Sequence, residues 1–466
     1  MTDLLEPATL AGVGALATRF PPEFTFGVAS SAYQIEGAVG DDGRGRSIWD
    51  AFSHEPGRTA NGETGDVACD HYHRLHADLD LMAELGVDAY RFSVSWPRVL
   101  PTGTGDVNEA GMAFYERLVD GLLARRIRPV LTLYHWDLPL ALQQRGGWAS
   151  AEAPAWFAAY AALVARRLGD RVATWVTINE PQVFAFTGHG RGRHAPGIAD
   201  WSTAVRVSLN ALAAHSVAAE AIRTASPDAR IGLAVDVNDV VAATDAADDM
   251  AAARRHRAIQ QHWFLEPLFA GRFPDEAVRA HVDAGHITAS ELRPFTVDEP
   301  DFIGLNYYTR EVVAADAEAL FGLRVLAPAA APTTMGWEVH PAGLRRVLGQ
   351  LRDAYKPRAI VVTENGAAFD DPAPLNGGPI DDEDRTAYLA HHIAAAASAI
   401  QDGVPLDGYF AWSLLDNFEW EKGYGQRFGL VHVDYGTLRR TPKASAGWYR
   451  SFLAARHGLH RPADPR

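Results

Sequence analysis

The chain has 466 residues, of which 47% are hydrophobic and 22% are charged, so it can build a large core and lacks the composition of a disordered protein. Its formal net charge of −15 argues against nucleic acid or an anionic membrane as a partner, because both are bound through an excess of lysine and arginine. Cys69 is the only cysteine, which excludes an intrachain disulfide and fits a reducing compartment.

The first twenty residues do not read as a secretory signal. They contain Asp3 and Glu6, and no lysine or arginine precedes Arg19. The chain also has no run of about 18 uncharged apolar residues, which is the length that a membrane-spanning helix needs. We therefore expect a cytoplasmic protein.

Short β-type apolar runs alternate with helical stretches along the chain. The predicted strands cover residues 26–30, 89–94, 129–133, 174–178, 231–235, 302–307, 360–363 and 409–413. Leu75, Leu79 and Met82 have the spacing of one helical face, and Gly86 follows as a stop signal. Alanine-rich stretches at 151–168, 203–225 and 385–401 also favour helices.

Eight successive βα units whose strands lack a polar face predict a parallel sheet covered by helices. We predict an α/β protein with a single (βα)8 TIM barrel, whose active site lies at the C-terminal ends of the strands. A doubly wound open sheet is the alternative, but it should carry a glycine-rich phosphate turn after an early strand, and residues 29–34 read Ala-Ser-Ser-Ala-Tyr-Gln. We place the barrel at 20–455, after a loosely held N-terminal extension, 1–19, and before a C-terminal tail, 456–466.

The predicted strands are followed by carboxylate, amide and aromatic side chains. Carboxylates and amides suit the binding of sugar hydroxyls, and tryptophan rings stack on the C–H faces of sugars. Cleavage of a glycosidic bond requires two carboxyl groups that flank it. Glu180 and Glu364 follow the fourth and seventh strands, which places them across the barrel mouth from each other. This pair is the predicted catalytic centre.

The segments around these two residues are similar to known motifs. Asn179-Glu180-Pro181 resembles the acid/base motif of glycoside hydrolase family one, the β-glucosidase family, and Thr363-Glu364-Asn365-Gly366 resembles its nucleophile motif. Further similar segments occur in the family's order at 24–37, 66–72, 134–137, 194–197, 335–338 and 412–420. The resemblance spans roughly residues 20–455. It implies a retaining β-glucosidase that hydrolyses terminal non-reducing β-D-glucosyl residues through a covalent glycosyl-enzyme, without a cofactor or metal.

The resemblance also implies a role for each matching residue. Glu180 would be the general acid and later the base, Glu364 would be the nucleophile, and Arg91 and Tyr308 would hold Glu364 ionised. The implied substrate-binding residues are Gln34, His135, Trp136, Asn179, Asn306, Trp337, Trp412, Glu419 and Trp420. The family also implies a non-proline cis peptide bond after Trp412.

Several alternatives stay open at this point. A β-galactosidase or β-fucosidase would use the same two glutamates, and a non-catalytic sugar-binding barrel would share the fold. Glu419 disfavours 6-phosphorylated sugars, because a carboxylate repels phosphate. We expect a small-molecule β-glycoside or cello-oligosaccharide as substrate, and hence a part in cellulose degradation and carbohydrate metabolism. The natural aglycone, the balance between hydrolysis and transglycosylation, and the oligomeric state are not predicted.

The position and composition of two further segments indicate their structure. His71, His73 and His76 precede or begin a helical run, away from the strand ends, so we predict no metal site there. The alanine- and proline-rich segment 314–332 is predicted to be a loop over the mouth of the site.

Overall fold

The protein is described by a computed structural model that covers residues 10–292, 299–329, 333–372 and 380–460. Its strands are β1 (Thr25–Ala29), β2 (Ala89–Ser93), β3 (Arg128–Tyr134), β4 (Thr174–Asn179), β5 (Arg230–Asp236), β6 (Asp239–Ala242), β7 (Phe302–Asn306), β8 (Arg310–Ala315), β9 (Leu323–Leu326), β10 (Ile360–Asn365), β11 (Leu406–Trp412), β12 (Val431–Asp434) and β13 (Arg439–Pro442). Eight of them pair in parallel and close into a barrel in the order β1-β11-β10-β7-β5-β4-β3-β2. Each predicted strand coincides with one of these eight, so the predicted TIM barrel is confirmed.

Helices cover the outside of the barrel. They are α1 (Leu10–Ala17), α2 (Ala32–Ile35), α3 (Ile48–Ser53), α4 (His71–Leu85), α5 (Trp96–Val99), α6 (Glu109–Ala124), α7 (Leu140–Gln143), α8 (Ala153–Leu168), α9 (Trp201–Ala225), α10 (Ala247–Arg257), α11 (Trp263–Ala270), α12 (Asp275–Asp283), α13 (Pro341–Tyr355), α14 (Glu383–Gln401) and α15 (Ala444–His460). Short 3₁₀ segments occur at Ala60–Gly62, Gly147–Ala149, Ala289–Glu291, Leu320–Gly322 and Trp420–Lys422, and π-helical segments at Val183–Gly190 and Ala258–His262. None of the helices within the described ranges is long and apolar enough to cross a membrane.

The helical pattern read from the sequence corresponds to buried faces. In α4, Leu75, Leu79 and Met82 are buried, and Gly86 ends the helix in the left-handed region at φ 74°. Glycine suits this position because it has no Cβ to clash there. The helix therefore ends where its sequence favours an end.

The barrel interior is apolar at its lower end. Ala89, Val130 and Ala234 belong to one cluster inside the barrel. Gly27 contributes no side chain, since a Cβ there would lie 2.4 Å from the Phe410 ring. With the lower half filled by apolar groups, the polar residues that follow on the same strands are left at the C-terminal ends.

A second sheet lies over one side of the barrel mouth. β6 pairs in parallel with β8, and β8 pairs antiparallel with β9. The prediction of a loop over 314–332 was therefore wrong for residues 314–315, which end β8, and for residues 323–326, which form β9; residues 330–332 lie outside the described residues. β9 is stabilised by its pairing with β8, whereas its own side chains are half-buried or exposed and show no alternating pattern.

The two ends of the described chain pack together. Val13 and Leu16 of α1 are buried, and α1 lies against α15. Arg456 of α15 is buried as well and donates to the backbone oxygen of Phe24 at 2.8 Å. The expected loose extension is thus wrong for its described part, and α15 continues beyond the predicted barrel end at 455. Residues 1–9 and 461–466 lie outside the described residues.

A buried ionic network connects the segment after β11 with the start of α15. Lys443 is fully buried, and its Nζ lies 2.5 Å from Asp371 Oδ2 and 2.7 Å from Asp416 Oδ1. The thiol of Cys69 donates to the backbone oxygen of Asp416 at 3.0 Å and is completely buried. A buried ammonium is tolerated only when it is paired and hydrogen-bonded, so each member of this network depends on the others.

We predict that Lys443→Met lowers the free energy of unfolding by about 3–5 kcal/mol, because two buried carboxylates lose the cation that they share and each keeps only one arginine as a charged partner. Lys422→Met is the matched control, since Lys422 is half exposed and its contact with Glu421 is long, at 3.7 Å; we expect about 0–1 kcal/mol there. Thermal or urea unfolding followed by circular dichroism measures both. Equal stability of the two variants would contradict the assigned role of Lys443.

Candidate active site

A cavity of about 420 Å³ opens at the C-terminal ends of the barrel strands. Glu180 follows β4 directly and Glu364 lies in β10, and both line this cavity. The strand pairing shifts register just before each of them, between Val176 and Asn179 and between Val362 and Glu364. Such bulges redirect side chains and are common beside active sites.

Glu364 is held by donors on both carboxyl oxygens. Arg91 Nη1 donates to its Oε1 at 2.5 Å, and the hydroxyl of Tyr308 donates to its Oε2. Burial raises the pKa of Glu364, while the cation of Arg91 and the donation from Tyr308 act against that rise. Arg91 and Tyr308 therefore stabilise the ionised form of this carboxyl group and offset part of the effect of its burial.

Glu180 has a different environment. Its Oε1 accepts from Asn306 Nδ2 at 2.6 Å. Burial raises the pKa of Glu180 well above its usual range, and the neighbouring carboxyls of Glu364 and Asp236 raise it further. Its backbone lies in the left-handed region at φ 46°, which is uncommon for a residue other than glycine and typical of functional sites. Burial raises the pKa of both glutamates, but only Glu364 has a cation and a hydroxyl donor that oppose the rise, so Glu180 is the stronger candidate to keep its proton.

A fully buried polar layer lies beneath the two glutamates. Arg91 Nη2 donates to Asn179 Oδ1 at 2.6 Å, and Asn306 Nδ2 donates to the same oxygen at 3.1 Å. Asn179 Nδ2 lies 3.1 Å from His135 Nε2. Burial and the cation of Arg91 lower the pKa of His135 well below its usual value, so this imidazole is neutral. The layer connects the strand ends of β2, β3, β4 and β7 into one network.

The side of the cavity that β1, β3 and β11 form is polar at its base and aromatic on its walls. Gln34 Nε2 donates to Glu419 Oε2 at 3.3 Å. Burial and the nearby carboxyl of Glu364 raise the pKa of Glu419 to about 8. The ring of Trp412 lies parallel to that of His135 at a centroid distance of 5.8 Å, and Trp136 packs against Trp420 at 4.5 Å. Flat rings beside carboxyl and amide groups are suited to a pyranose ring with its hydroxyls.

The structure brings together all of the predicted site residues. Those that line the cavity are His135, Trp136, Glu180, Tyr308, Trp337, Glu364, Trp412, Glu419 and Trp420. The other four lie just beneath and bond to them: Gln34, Arg91, Asn179 and Asn306. The predicted cis peptide bond between Trp412 and Ser413 is confirmed. A larger cavity of about 810 Å³ lies between α10, α11, α12 and α13 and includes none of the predicted residues.

Four polar residues on the β5 side were not predicted. Asp236, Asn238 and Glu311 line the cavity, and His256 Nε2 lies 2.7 Å from Glu311 Oε2. Asp236 comes at the end of the apolar run of β5. The expectation that polar residues at the C-terminal ends of barrel strands face the site therefore applies to it as well. Glu311 lies in β8 and His256 in α10, outside the barrel, and no local pattern indicates that they meet.

The histidines near residue 71 pair with carboxylates. His71 Nδ1 lies 2.8 Å from Asp78 Oδ2, and His73 Nδ1 lies 2.6 Å from Asp70 Oδ1. Across the described ranges, no group of three or more histidine, cysteine, aspartate or glutamate side chains has the arrangement of a metal site.

Comparison with known proteins identifies what the chain is similar to. The model of glycosyl hydrolase family 1 matches residues 16–458. Beta-glucosidase A of Thermotoga maritima is 45% identical over 440 residues, which are 93% of this chain and 98% of that protein. A bifunctional beta-D-glucosidase/beta-D-fucosidase of Bifidobacterium breve is 43% identical over 459 residues, covering 93% of this chain and 98% of that protein. The solved structure of a Thermotoga maritima family 1 glycoside hydrolase with a cyclophellitol-analogue transition-state mimic has a TM-score of 0.89 and 44% identity, covering 94% of this chain and 98% of that one.

We predict that Tyr308→Phe raises the pKa of Glu364. The hydroxyl of Tyr308 donates to the carboxylate and so favours its ionised form, and its removal makes that form less stable. Carbon-13 NMR titration of labelled glutamate carboxyls measures the change. Tyr307→Phe is the matched control, because its hydroxyl donates to the backbone oxygen of His340 instead. An unchanged Glu364 titration in the Tyr308 variant would show that the hydroxyl does not act on this carboxyl.

Proposed function

The chain belongs to glycosyl hydrolase family 1, and from this premise we propose that it hydrolyses terminal non-reducing β-D-glucosyl residues with retention, using Glu364 as nucleophile and Glu180 as acid/base catalyst. The observation that carries this proposal is the asymmetry of the two glutamates. One cavity holds both, with a cation and a hydroxyl donor on Glu364 and neighbouring carboxyls beside Glu180. That difference suits a nucleophile and a proton donor.

In the first step, the carboxylate of Glu364 attacks the anomeric carbon and Glu180 gives its proton to the leaving oxygen. The bond between the anomeric carbon and that oxygen breaks, an ester to Glu364 forms, and the leaving group departs with the proton. Arg91 orients Glu364 and stabilises its negative charge before attack, while burial keeps Glu180 protonated.

In the second step, water replaces the leaving group. Formation of the ester removes the negative charge of Glu364, so the electrostatic contribution that raised the pKa of Glu180 is lost. Glu180, now ionised, takes a proton from water, and the resulting oxygen attacks the anomeric carbon from the side that the leaving group vacated. Two inversions give net retention, and Glu364 is released as a carboxylate.

We assign the glucosyl unit to the pocket formed by Gln34, His135, Trp136, Glu419 and Trp420, with Trp412 as its floor and Asn179 at the 2-hydroxyl. Asn306 holds Glu180, and Trp337 stacks on the leaving group. The aromatic rings shield the sugar from water, and the polar groups between them supply donors and acceptors for its hydroxyls.

Glu419 bears on the choice between free and phosphorylated sugars. With its pKa raised to about 8, its carboxyl is largely protonated at neutral pH, so simple charge repulsion contributes less than the sequence implied. A hydroxyl is satisfied by a carboxyl group in either state, whereas a phosphate dianion requires a cationic partner. Gln34 and Glu419 offer none, which favours the unphosphorylated glycoside.

A second candidate activity is removal of β-D-fucosyl residues. The Bifidobacterium breve relative, named for both activities, is 43% identical to this chain. The non-catalytic sugar-binding alternative is disfavoured, because both glutamates are present in the same cavity.

We further propose that the natural substrates are cellobiose and short cello-oligosaccharides, and that the enzyme acts on them in the cytoplasm as the last step of cellulose degradation. The single buried cysteine suits a reducing compartment.

The central test is the release of nitrophenol from matched nitrophenyl β-D-glucoside, β-D-fucoside, β-D-galactoside and β-D-glucoside 6-phosphate. We expect strong turnover of the glucoside, weak turnover of the phosphorylated compound, and a loss of roughly 10⁴-fold or more in kcat for Glu364→Gln. Glu266→Gln changes a carboxyl group in the larger cavity and serves as the matched control. NMR of the first-formed sugar should give the β anomer. An α anomer, or full activity in Glu364→Gln, would refute the mechanism.

The pH profile tests Glu180 separately. Only protonated Glu180 can donate to the leaving oxygen, so kcat/KM should fall as pH rises through its raised pKa. In Glu180→Gln this alkaline limb should disappear for a dinitrophenyl glucoside, whose leaving group needs no proton. Glucosides with poor leaving groups should lose about 10²–10⁴-fold in kcat/KM. An unchanged alkaline limb in the variant would assign the acid to another residue.

A further inference from the structure

The part of the cavity beyond Glu180 is formed by β5, β8 and the segment around Trp337. Asp236 ends β5, next to β4 in the barrel, and lines the same cavity as the two glutamates. The sugar pocket lies on the side of β1, β3 and β11, and Glu180 protonates the oxygen that leaves. Asp236 therefore lies on the side from which the leaving group departs.

The carboxyl group of Asp236 is poorly satisfied by the protein. Its Oδ1 is buried, and among the described residues no group donates to it. Its Oδ2 meets Asn238 Nδ2 only at 3.4 Å, which is a long contact. The backbone of Asp236 is fixed by a hydrogen bond, because Gln182 Nε2 donates to its backbone oxygen at 2.7 Å. A buried polar group without a partner is unfavourable, and in binding sites such a group commonly receives its partner from the ligand.

The other acidic side chains on the cavity wall are already paired. His256 Nε2 lies 2.7 Å from Glu311 Oε2, and Arg193 forms an ion pair with Glu421. Within the described part of this wall, Asp236 is thus distinguished from both carboxylates by its lack of a strong donor. The lack of a donor is therefore a property of Asp236 and not of every acidic side chain on this wall.

We propose that Asp236 selects a sugar as the leaving group by forming a hydrogen bond with one of its hydroxyls. This inference rests on the proposed glucosidase function and adds the chemistry of the second half of the substrate. An apolar aryl leaving group has no hydroxyl to satisfy the carboxyl, whereas a sugar does.

A hydroxyl matches Asp236 in either protonation state. Burial and the carboxyls of Glu311 and Glu364 raise the pKa of Asp236 well above its usual range. A protonated carboxyl both donates and accepts, and an ionised one only accepts. A hydroxyl can bond to either form, whereas an ammonium, which only donates, cannot accept from the protonated form.

The same contact should govern the fate of the glycosyl-enzyme. By microscopic reversibility, the site that holds a departing sugar also holds a sugar that attacks in place of water. Asp236 therefore favours transfer to a sugar acceptor as well as cleavage of a disaccharide.

The test compares kcat/KM for cellobiose with kcat/KM for nitrophenyl β-D-glucoside in the unmodified enzyme, Asp236→Leu and Asp236→Asn. We expect Asp236→Leu to lower the cellobiose-to-aryl ratio roughly tenfold or more, and Asp236→Asn to restore part of it, because its amide still donates and accepts. The ratio of transfer to hydrolysis, measured with added glucose as acceptor, should fall in parallel. Glu421→Gln is the matched control and should change the cellobiose-to-aryl ratio less than twofold, because Arg193 already occupies this carboxylate.

An equal loss on both substrates in Asp236→Leu and Asp236→Asn would mean that Asp236 acts through Glu180 or through stability, and would overturn the proposal. An unchanged ratio in Asp236→Leu would overturn it as well. Failure of the proposed function is distinguishable, since the unmodified enzyme would then turn over neither substrate.

Discussion

The ion pair between Arg91 and Glu364 is the interaction on which the interior of the barrel depends. A guanidinium with almost no exposure is costly to bury unless its N–H groups find acceptors. Here the acceptors are the carboxylate of Glu364, the backbone oxygen of Thr363, the amide oxygen of Asn179 and the hydroxyl of Thr132. These acceptors belong to β3, β4 and β10, and Arg91 itself belongs to β2, so the cation beside the proposed nucleophile also links four strands at the upper end of the barrel. The stability of the barrel and the charge of the proposed nucleophile therefore depend on the same contacts.

That ion pair makes the environment of Glu364 different from that of Glu180. Arg91 and Tyr308 donate to Glu364. Glu180 instead accepts from the amide of Asn306 and lies near other carboxyl groups. Two chemically identical side chains in one cavity thereby have different environments, which is what the proposed division between a nucleophile and a proton donor requires. The lowered pKa of His135 and the raised pKa of Glu419 act in the same sense, because both reduce the net charge of the proposed sugar pocket.

Much of this arrangement could be predicted from the sequence, because barrel strands are buried on both faces and end in polar residues at a defined edge. The eight strands, and the position of Glu180 and Glu364 in one cavity at their C-terminal ends, were predictable for that reason. β9 was not, since its stability comes from pairing with β8 and not from its own pattern. The contact between Glu311 and His256 could not be predicted either, because it joins a strand and a helix outside the barrel. Asp236 satisfied the strand-end rule, but a single aspartate after a strand is weak evidence until its missing partner is seen.

The burial of Cys69 gives the molecule a reporter of its own. The chain has one thiol, sealed against the backbone of Asp416, three residues before Glu419 of the sugar pocket. A thiol reagent has a single target and reacts with it only when the covering segment opens, so the labelling rate measures the free energy of that local opening. A sugar that closes the pocket should slow the reaction. The labelling rate of Cys69 thus reports both sugar binding and local opening of the barrel rim, without an engineered label.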